Sequence, residues 1–427
     1  MTVLRYCYNG LLRCIIPFVL LRYLWRSRKN KAYRQHFSER FGFVAFQPEE
    51  AKIIWLHAVS VGETIAIRPL VEALLKQYPD HKIWITNGTI NGRARTQALF
   101  GNRVLNSYAP YDLPSATRRF IQSVHPVLVL IMETEVWPNW MHVLHEKNIP
   151  VILVNARLSE KSYRQYKKYQ QLFATAWQAF SLIAAQAESD AARYAKLGVR
   201  PEQLSVAGNL KYHLLLPENL AVQVKTWRSF LPDVPTWITA SIHPGELPQL
   251  LEAYAALKKN NPHLFWILVP RHPERAEAIK KICVAEGWSV TLRSQLGVVP
   301  TASIETDILL VDAIGELFLF YSLAQVAFVG GSFIEHGGHN ILEPAAVGTV
   351  ITCGPSMYNF SAMLDEFQKA RAILVCGDAK SLAAETSALF ADDALRNQYI
   401  EAAQRCFAQH EKVLDVYLSL IKRFLSF

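Results

Sequence analysis

The residues best suited to chemistry in this chain stand where apolar runs stop. The run Ile53–His57 is followed by AVSVGET, which places Ser60, Gly62 and Glu63 in a tight loop that opens a helix. Gly62 permits close backbone approach, and the N-terminal dipole of a helix favours a carboxylate in its first turn. Glu63 therefore reads either as a capping residue or as a general base held at the rim of a sheet. The run Pro126–Met132 ends on Glu133, with Glu135 two residues on and Trp137, Pro138, Asn139 and Trp140 behind it. The alternatives there are an acidic surface turn over core tryptophans, or carboxylates beside aromatic walls suited to a sugar or a lipid. Two further run ends, NARLS and GNLKYH, bring Asn155, Arg157, Ser159 and Lys211 to the same rim. Lys211 is either solvated or set to meet a phosphate or carboxylate.

A second group of run ends is richer in anion-binding types. Trp237–Ala240 leads into SIHPGE, starting at Ser241, and Phe265–Val269 leads into PRHPER, with Pro270, Arg271 and His272 just past the run. An arginine there suits a phosphate, because its planar fork donates two parallel hydrogen bonds. Asp307–Val311 leads into DAIGELFLFY, with Ile314, Gly315 and Glu316 at a helix start. Val326–Val329 leads into GGSFIEHGGHNILEPAAVG. Gly330, Gly331, Gly337 and Gly338 remove side chains around Ser332, and His339, Asn340, Ile341, Leu342 and Glu343 then open a helix. A glycine-rich turn into a helix start favours an anion, and Glu343 is placed to hold ribose hydroxyls. Neither G-x-x-x-x-G-K-[ST] nor a well-placed G-x-G-x-x-G occurs, which argues against a P-loop ATPase and an ordinary NAD domain. No Asp-x-Asp falls between strands and no Cys/His group has zinc-site spacing, so neither a metal nor a cofactor is expected.

These rim residues need elements that deliver them together. The apolar runs form two sets. The first is Ile53–His57, Lys82–Thr86, Arg103–Ala109, Pro126–Met132, Pro150–Asn155, Leu182–Ala185 and Leu204–Ala207. The second is Trp237–Ala240, Phe265–Val269, Ser289–Leu292, Asp307–Val311, Val326–Val329, Val350–Cys353 and Ile373–Val375. They are continuous rather than alternating, as in parallel strands covered on both faces. Amphipathic stretches between them, such as Ala66–Gln77 and Ser189–Leu197, read as helices, and strand–helix alternation implies a doubly wound α/β sheet. At 427 residues, 51% hydrophobic, the chain suits two domains. The expected division is an anchor at 1–30, a Rossmann-like domain at 31–216, a proline-marked linker at 217–235, a second Rossmann-like domain at 236–391, and helices at 392–427 long enough to cross back. Ligands of open α/β sheets lie beyond the carboxyl ends of the strands. Ser60, Gly62, Asn155, Ser241, Gly331 and Ser332 are therefore candidate substrate contacts.

Charge is unevenly placed. The net formal charge is +9, and residues 1–50 hold nine Lys/Arg against three Asp/Glu. A nucleic-acid groove would interleave such charges with stacking aromatics; here they flank an apolar stretch, which points to an anionic membrane surface and away from nucleic acid. The longest uncharged apolar run, Cys14–Leu21, falls short of the roughly 20 residues of a spanning helix. No small-residue cleavage site follows it. Tyr23, Trp25, Arg26 and Arg28 read as interfacial anchors. An inserted or surface-lying anchor is expected, with full spanning and a core-docked helix as the alternatives. The six cysteines read as free thiols in a reducing compartment.

In order along the chain, SVGET, METEVWPN, NARLS, GNLK, VPRHPER, GELFLFY, GGSF, GGHNILEPAA and GPSMYNF resemble the 3-deoxy-D-manno-octulosonic acid (Kdo) transferases. The resemblance implies a GT-B fold, two Rossmann-like domains facing a central cleft. It implies CMP-Kdo as donor, a lipid A precursor as acceptor, and metal-free inversion on the cytoplasmic side of the inner membrane. By the same resemblance the catalytic base falls on Glu63 and transition-state stabilisers on Glu133 and Lys211. CMP contacts fall on Pro270, Arg271 and the adjoining His272, on Ile314, Gly315 and Glu316, and on Asn340, Ile341, Leu342 and Glu343. Ser356 and Leu247 depart from the usual pattern of that family. A sugar-nucleotide epimerase of the same fold is the alternative; it has no use for an arginine-flanked anchor.

Overall fold

The computed structural model describes residues 3–29, 34–44, 51–214 and 216–425. It divides into two units, Met1–His213 with Lys412–Phe427, and Leu214–Glu411. The first holds strands β1 (Lys52–His57), β2 (His81–Asn87), β3 (Leu105–Tyr108), β4 (Pro126–Met132), β5 (Val151–Ala156), β6 (Leu182–Ala185) and β7 (Leu204–Val206). The second holds β8 (Thr236–Ile242), β9 (Phe265–Pro270), β10 (Val290–Leu292), β11 (Ile308–Leu310), β12 (Val326–Val329), β13 (Val350–Cys353) and β14 (Leu374–Val375). Each strand coincides within two residues at each end with one of the apolar runs. The pairings are parallel, in the orders β3-β2-β1-β4-β5-β6-β7 and β10-β11-β9-β8-β12-β13-β14.

Burial on both faces is what the continuous apolar runs demand. In β1, Ile53 and Trp55 face a core with Trp140 and Trp177, while Ile54 and Leu56 face the opposite core with Leu70 and Leu74. In the second unit Trp237 packs with Trp266 and Tyr254 on one face, and Ile238 with Phe265 and Phe320 on the other. The buried indoles of Trp55 and Trp266 each donate to a threonine of the neighbouring strand, Thr86 at 2.8 Å and Thr239 at 3.0 Å.

Three expected segments take a different form. The helix expected at Ala66–Gln77 is two helices, Val61–Ala66 and Arg68–Gln77. Pro69 in the first turn of the second has no N–H to satisfy there. The segment 217–235, expected as a linker, carries the helix Leu220–Arg228, whose Trp227 is buried against Ile238 and Phe320 of the second unit. The region 392–427 is divided between units. Asp393–Glu411 lies in the second, while Val413–Leu425 covers the first sheet with Val413, Tyr417, Leu418 and Ile421.

The N-terminal segment is one helix, Val3–Lys29, despite Pro17 and its arginines. One side meets the first unit through polar groups. Tyr8 donates to Asp112 at 2.8 Å, Arg5 donates to Asn139 at 3.2 Å, and Asn9 accepts from Asn139 at 2.7 Å. Asp112 is buried and also accepts from the backbone N–H groups of Asn139 and Trp140. Desolvation pushes its carboxyl up to about 7, with those hydrogen bonds opposing. Leu11, Phe18 and Leu21 are exposed. By length and composition the helix over Leu4–Arg28, which contains an 18-residue window of mean hydropathy 1.3, could cross a membrane.

One buried hydroxyl adds a polar tie to the apolar packing of the last helix. Tyr417 Oη accepts from the Asn155 N–H at 3.0 Å and donates toward the carbonyl oxygens of Gly208 and Ala184 at 3.0 and 3.3 Å. Tyr417→Phe leaves the buried Asn155 N–H without its acceptor, so it should lower the unfolding free energy by about 1–3 kcal/mol. Urea denaturation of the full chain checks this.

Candidate active site

In the first sheet the strand order reverses between β1 and β4, and a ligand of such a sheet lies above that point. Glu63 follows β1 and Glu133 follows β4. Ser60 caps the helix Val61–Ala66, its Oγ accepting from the Glu63 N–H. The Glu63 carboxylate is fixed in turn: Oε2 accepts from the Val59 N–H at 2.8 Å and Oε1 from Ser60 Oγ at 2.8 Å. Capping and a fixed carboxylate at the rim are therefore the same geometry. Desolvation raises the Glu63 pKa above the usual carboxylate range; the two hydrogen bonds oppose it, the Glu133 charge adds to it and Lys211 offsets part of it. Gly62 is exposed in the same turn.

Glu133 and Lys211 form an ion pair, Nζ to Oε1 at 2.7 Å. Glu133 has a left-handed backbone, φ 58°, which few non-glycine residues adopt. Its N–H is tied to Val154 O at 3.0 Å. Such strain persists only where the surroundings hold it, and it concentrates at functional sites. Glu135, not singled out for a role in the sequence, is desolvated and faces the charges of Glu63 and Glu133. Its carboxyl is pushed up to about 7, with Trp137 opposing. A groove of about 490 Å³ lined by Thr134, Gln165, Tyr166, Lys168, Tyr169 and Phe173 opens beside this loop.

Asn155 stands corrected as a substrate contact. Its side chain is fully buried, and its Oδ1 accepts from the Leu210 N–H at 2.9 Å. It positions the loop that carries Lys211. Asn209 supports the same loop by accepting from the Lys211 N–H at 3.0 Å.

In the second sheet the order reverses between β8 and β12. A fully buried carboxylate, Glu246, organises the two loops that follow these strands. Its Oε2 accepts from the His243 and Gly331 N–H groups at 2.9 and 2.7 Å, and its Oε1 from those of Ser332 and Phe333, both at 3.0 Å. The approach is so close that a Cβ on Gly330 would lie 2.8 Å from Ile242 Cα, so only glycine fits. Ser332 is corrected like Asn155: its hydroxyl is buried, donating to Val329 O at 2.6 Å and accepting from the Gly354 N–H at 2.8 Å. Gly331 is buried with its N–H turned to Glu246, whereas Ser241 stays partly accessible at φ 58°.

Around these loops Pro270 is buried, and the side chains of Arg271 and His272 are exposed. Ile314 is 87% exposed beside Gly315. Glu316 is held bidentately by the buried Arg293, at 2.8 and 2.7 Å, a partner that the sequence did not reveal. Ile341 and Leu342 have fully buried side chains, which leaves only their main chain to serve as a contact. Asn340 Oδ1 accepts from the Leu342 N–H at 3.1 Å. Desolvation pushes the Glu343 carboxyl up to about 7, with Asn340 and Arg271 opposing. Leu247 is buried at the start of a helix, and the Ser356 N–H is bonded to Ser332 O at 2.9 Å.

Residues 35–214 match the model of a family described as 3-Deoxy-D-manno-octulosonic-acid transferase (kdotransferase). The chain is 37% identical to the 3-deoxy-D-manno-octulosonic acid transferase of Haemophilus influenzae, covering 99% of each protein. It is 34% identical to that of Bordetella pertussis, covering 95% of this chain and 96% of the relative. Among solved structures, UDP-GlcNAc 2-epimerase from Neisseria meningitidis matches with a TM-score of 0.55 and 11% identity, over 87% of this chain and all of that one. That likeness shows a common two-sheet fold of the GT-B type and nothing of the reaction.

Glu246→Gln would turn one acceptor oxygen into an amide donor facing two N–H groups. Two buried donors left unpaired cost about 1–3 kcal/mol each. The urea midpoint should fall by the equivalent of roughly 2–6 kcal/mol, and an unchanged midpoint would contradict the arrangement.

Proposed function

The chain belongs to the Kdo transferase family, and on that premise we propose that it transfers Kdo from CMP-Kdo to a lipid A precursor in lipopolysaccharide synthesis, inverting the anomeric carbon without a metal. The observation that carries this reading is the fixed Glu63 carboxylate beside the Glu133–Lys211 pair. An acceptor hydroxyl gives its proton to Glu63 as its oxygen bonds to the anomeric carbon; the bond from that carbon to the CMP phosphate oxygen breaks, and CMP leaves with the electron pair. Lys211, oriented by Glu133, offsets charge that develops in the transition state. In the second unit Arg271 faces the phosphate. Glu343 and Asn340 hold ribose hydroxyls, and Ile314 offers an apolar contact to the base. The epimerase alternative rests on the shared fold alone, whereas the transferase relatives match over nearly the whole chain.

The acceptor is a lipid, and two surfaces suit it. The groove beside Glu133 and Glu135 offers aromatic faces and Lys168. The N-terminal helix, docked by polar groups on one side with Leu11, Phe18 and Leu21 exposed, fits an element lying along an anionic bilayer, with the catalytic units on its cytoplasmic side.

Glu63→Gln should lower kcat by about 10²–10⁴ while CMP affinity, measured by calorimetry, stays the same. Turnover near wild type would remove Glu63 as the base. The base must be ionised to act, and desolvation raises its pKa. The acid limb of kcat/KM in the wild type should therefore lie above the ordinary glutamate value of about 4.3. Glu133→Gln removes a neighbouring negative charge, so in the pH–rate profile it should move that limb to lower pH as well as slow the reaction.

Replacing Leu11, Phe18 and Leu21 together by serine should leave the melting curve unchanged, because all three are exposed. Affinity for anionic vesicles, read by sedimentation, should fall about a hundredfold or more, since each large apolar side chain contributes about 1.5–3 kcal/mol when fully buried.

A further inference from the structure

We propose that the second unit contains a binding site for one first-row transition-metal ion, formed by His243, His336 and His339. Their spacing in sequence is unlike any zinc motif, yet the fold brings one ring nitrogen from each within 4.8 Å of the other two. His243 Nε2 and His339 Nε2 are 3.0 Å apart. The His243 and His336 ring centroids are separated by 3.9 Å, and the His243 and His339 rings are parallel within 2°. Nitrogens about 2.0–2.1 Å from one zinc ion in a tetrahedron sit a little over 3 Å from each other, close to the hydrogen-bond distance of 3.0 Å that now separates His243 and His339.

The ligands stand on a prepared backbone. The His243 N–H and the Gly331 N–H, from the two loops that carry the histidines, bond to the same Glu246 oxygen. The His336 carbonyl accepts from Asn359 Nδ2 at 3.0 Å. A Cβ on Gly331 would lie 3.0 Å from the His339 ring, so the glycine loop lies directly against that imidazole. His243 is buried, His339 half-buried and His336 exposed, which leaves one side of the cluster open to a fourth ligand. Burial, together with His243, Arg271 and the other histidines, pushes the His339 pKa down to about 4, and burial also lowers that of His243.

Donor chemistry selects the metal. Three imidazoles suit zinc, copper, nickel or cobalt. Magnesium and calcium require oxygen ligands, and both oxygens of the nearby Glu246 carboxylate already accept two N–H groups each. The transfer chemistry assigned above to Glu63, Glu133 and Lys211 does not pass through this ion.

Cobalt(II) titrated into chelator-treated full-length protein tests the proposal directly. One equivalent should bind with the intense visible bands of a tetrahedral nitrogen-ligated ion, and zinc but not magnesium should displace it. His336→Ala removes an exposed ring, so melting should be unchanged while zinc affinity by calorimetry falls on the order of 10–100-fold, as expected when a metal site is disrupted. Should that variant fail to fold, His336→Gln serves the same comparison. The weak bands of octahedral cobalt alone, or equal zinc affinity in wild type and variant, would overturn the site.

Discussion

Within each of the two sheets the strands run in one direction, and this constraint governs where chemistry can occur. Parallel strands need crossover helices, and the helices cover both faces. The faces are then closed to ligands, and the rim at the carboxyl ends is left as the place where side chains from distant segments meet. Glu63 and Glu133 share a rim because β1 and β4 are hydrogen-bonded neighbours. His243 and the glycine-rich loop meet because β8 and β12 are neighbours. The same order that buries Trp55 and Trp237 therefore also delivers the polar residues.

A shared rim alone would leave the loops loose. Buried polar groups remove that freedom, and each one ties segments far apart in sequence. Tyr417 binds the end of β5 across 262 positions, and Glu246 binds the loop after β12 across 85. Asn155 sits between the Tyr417 hydroxyl and the Lys211 loop, so the last helix and the Lys211–Glu133 pair share one support. Hydrogen bonds of this kind add modestly to stability when made and cost more when broken. Their main effect here is orientation: a carboxylate or lysine held in place before substrate arrives needs no reorganisation during reaction.

The strands were legible because a run such as Pro126–Met132 is apolar at almost every position and carries no helical period. The rim was legible as a region, since polar or glycine-rich motifs follow most of those runs. Which rim residues face outward was not legible. Asn155 and Ser332 stand at strand ends like Glu133 and Ser241, yet they turn into the fold. Glu246 was hidden in a Pro-Gly-Glu stretch that has the composition of an exposed turn, and its partners lie in another loop. The three histidines were invisible for the same reason, His243 being separated from the other two by most of a domain. Residues 217–235 looked like a linker from their prolines, whereas the burial of Trp227 makes them part of a core. The N-terminal helix runs unbroken through Pro17 and five arginines, which local pattern alone did not foretell.

The central claim is that this fold moves Kdo from CMP to a lipid. Mass spectrometry of a lipid A precursor incubated with CMP-Kdo and the full-length protein, with CMP release followed in the same samples, reads it most directly. The account predicts an acceptor whose mass rises by whole Kdo residues, with one CMP released for each. Donor consumed or rearranged with no gain in acceptor mass would contradict it.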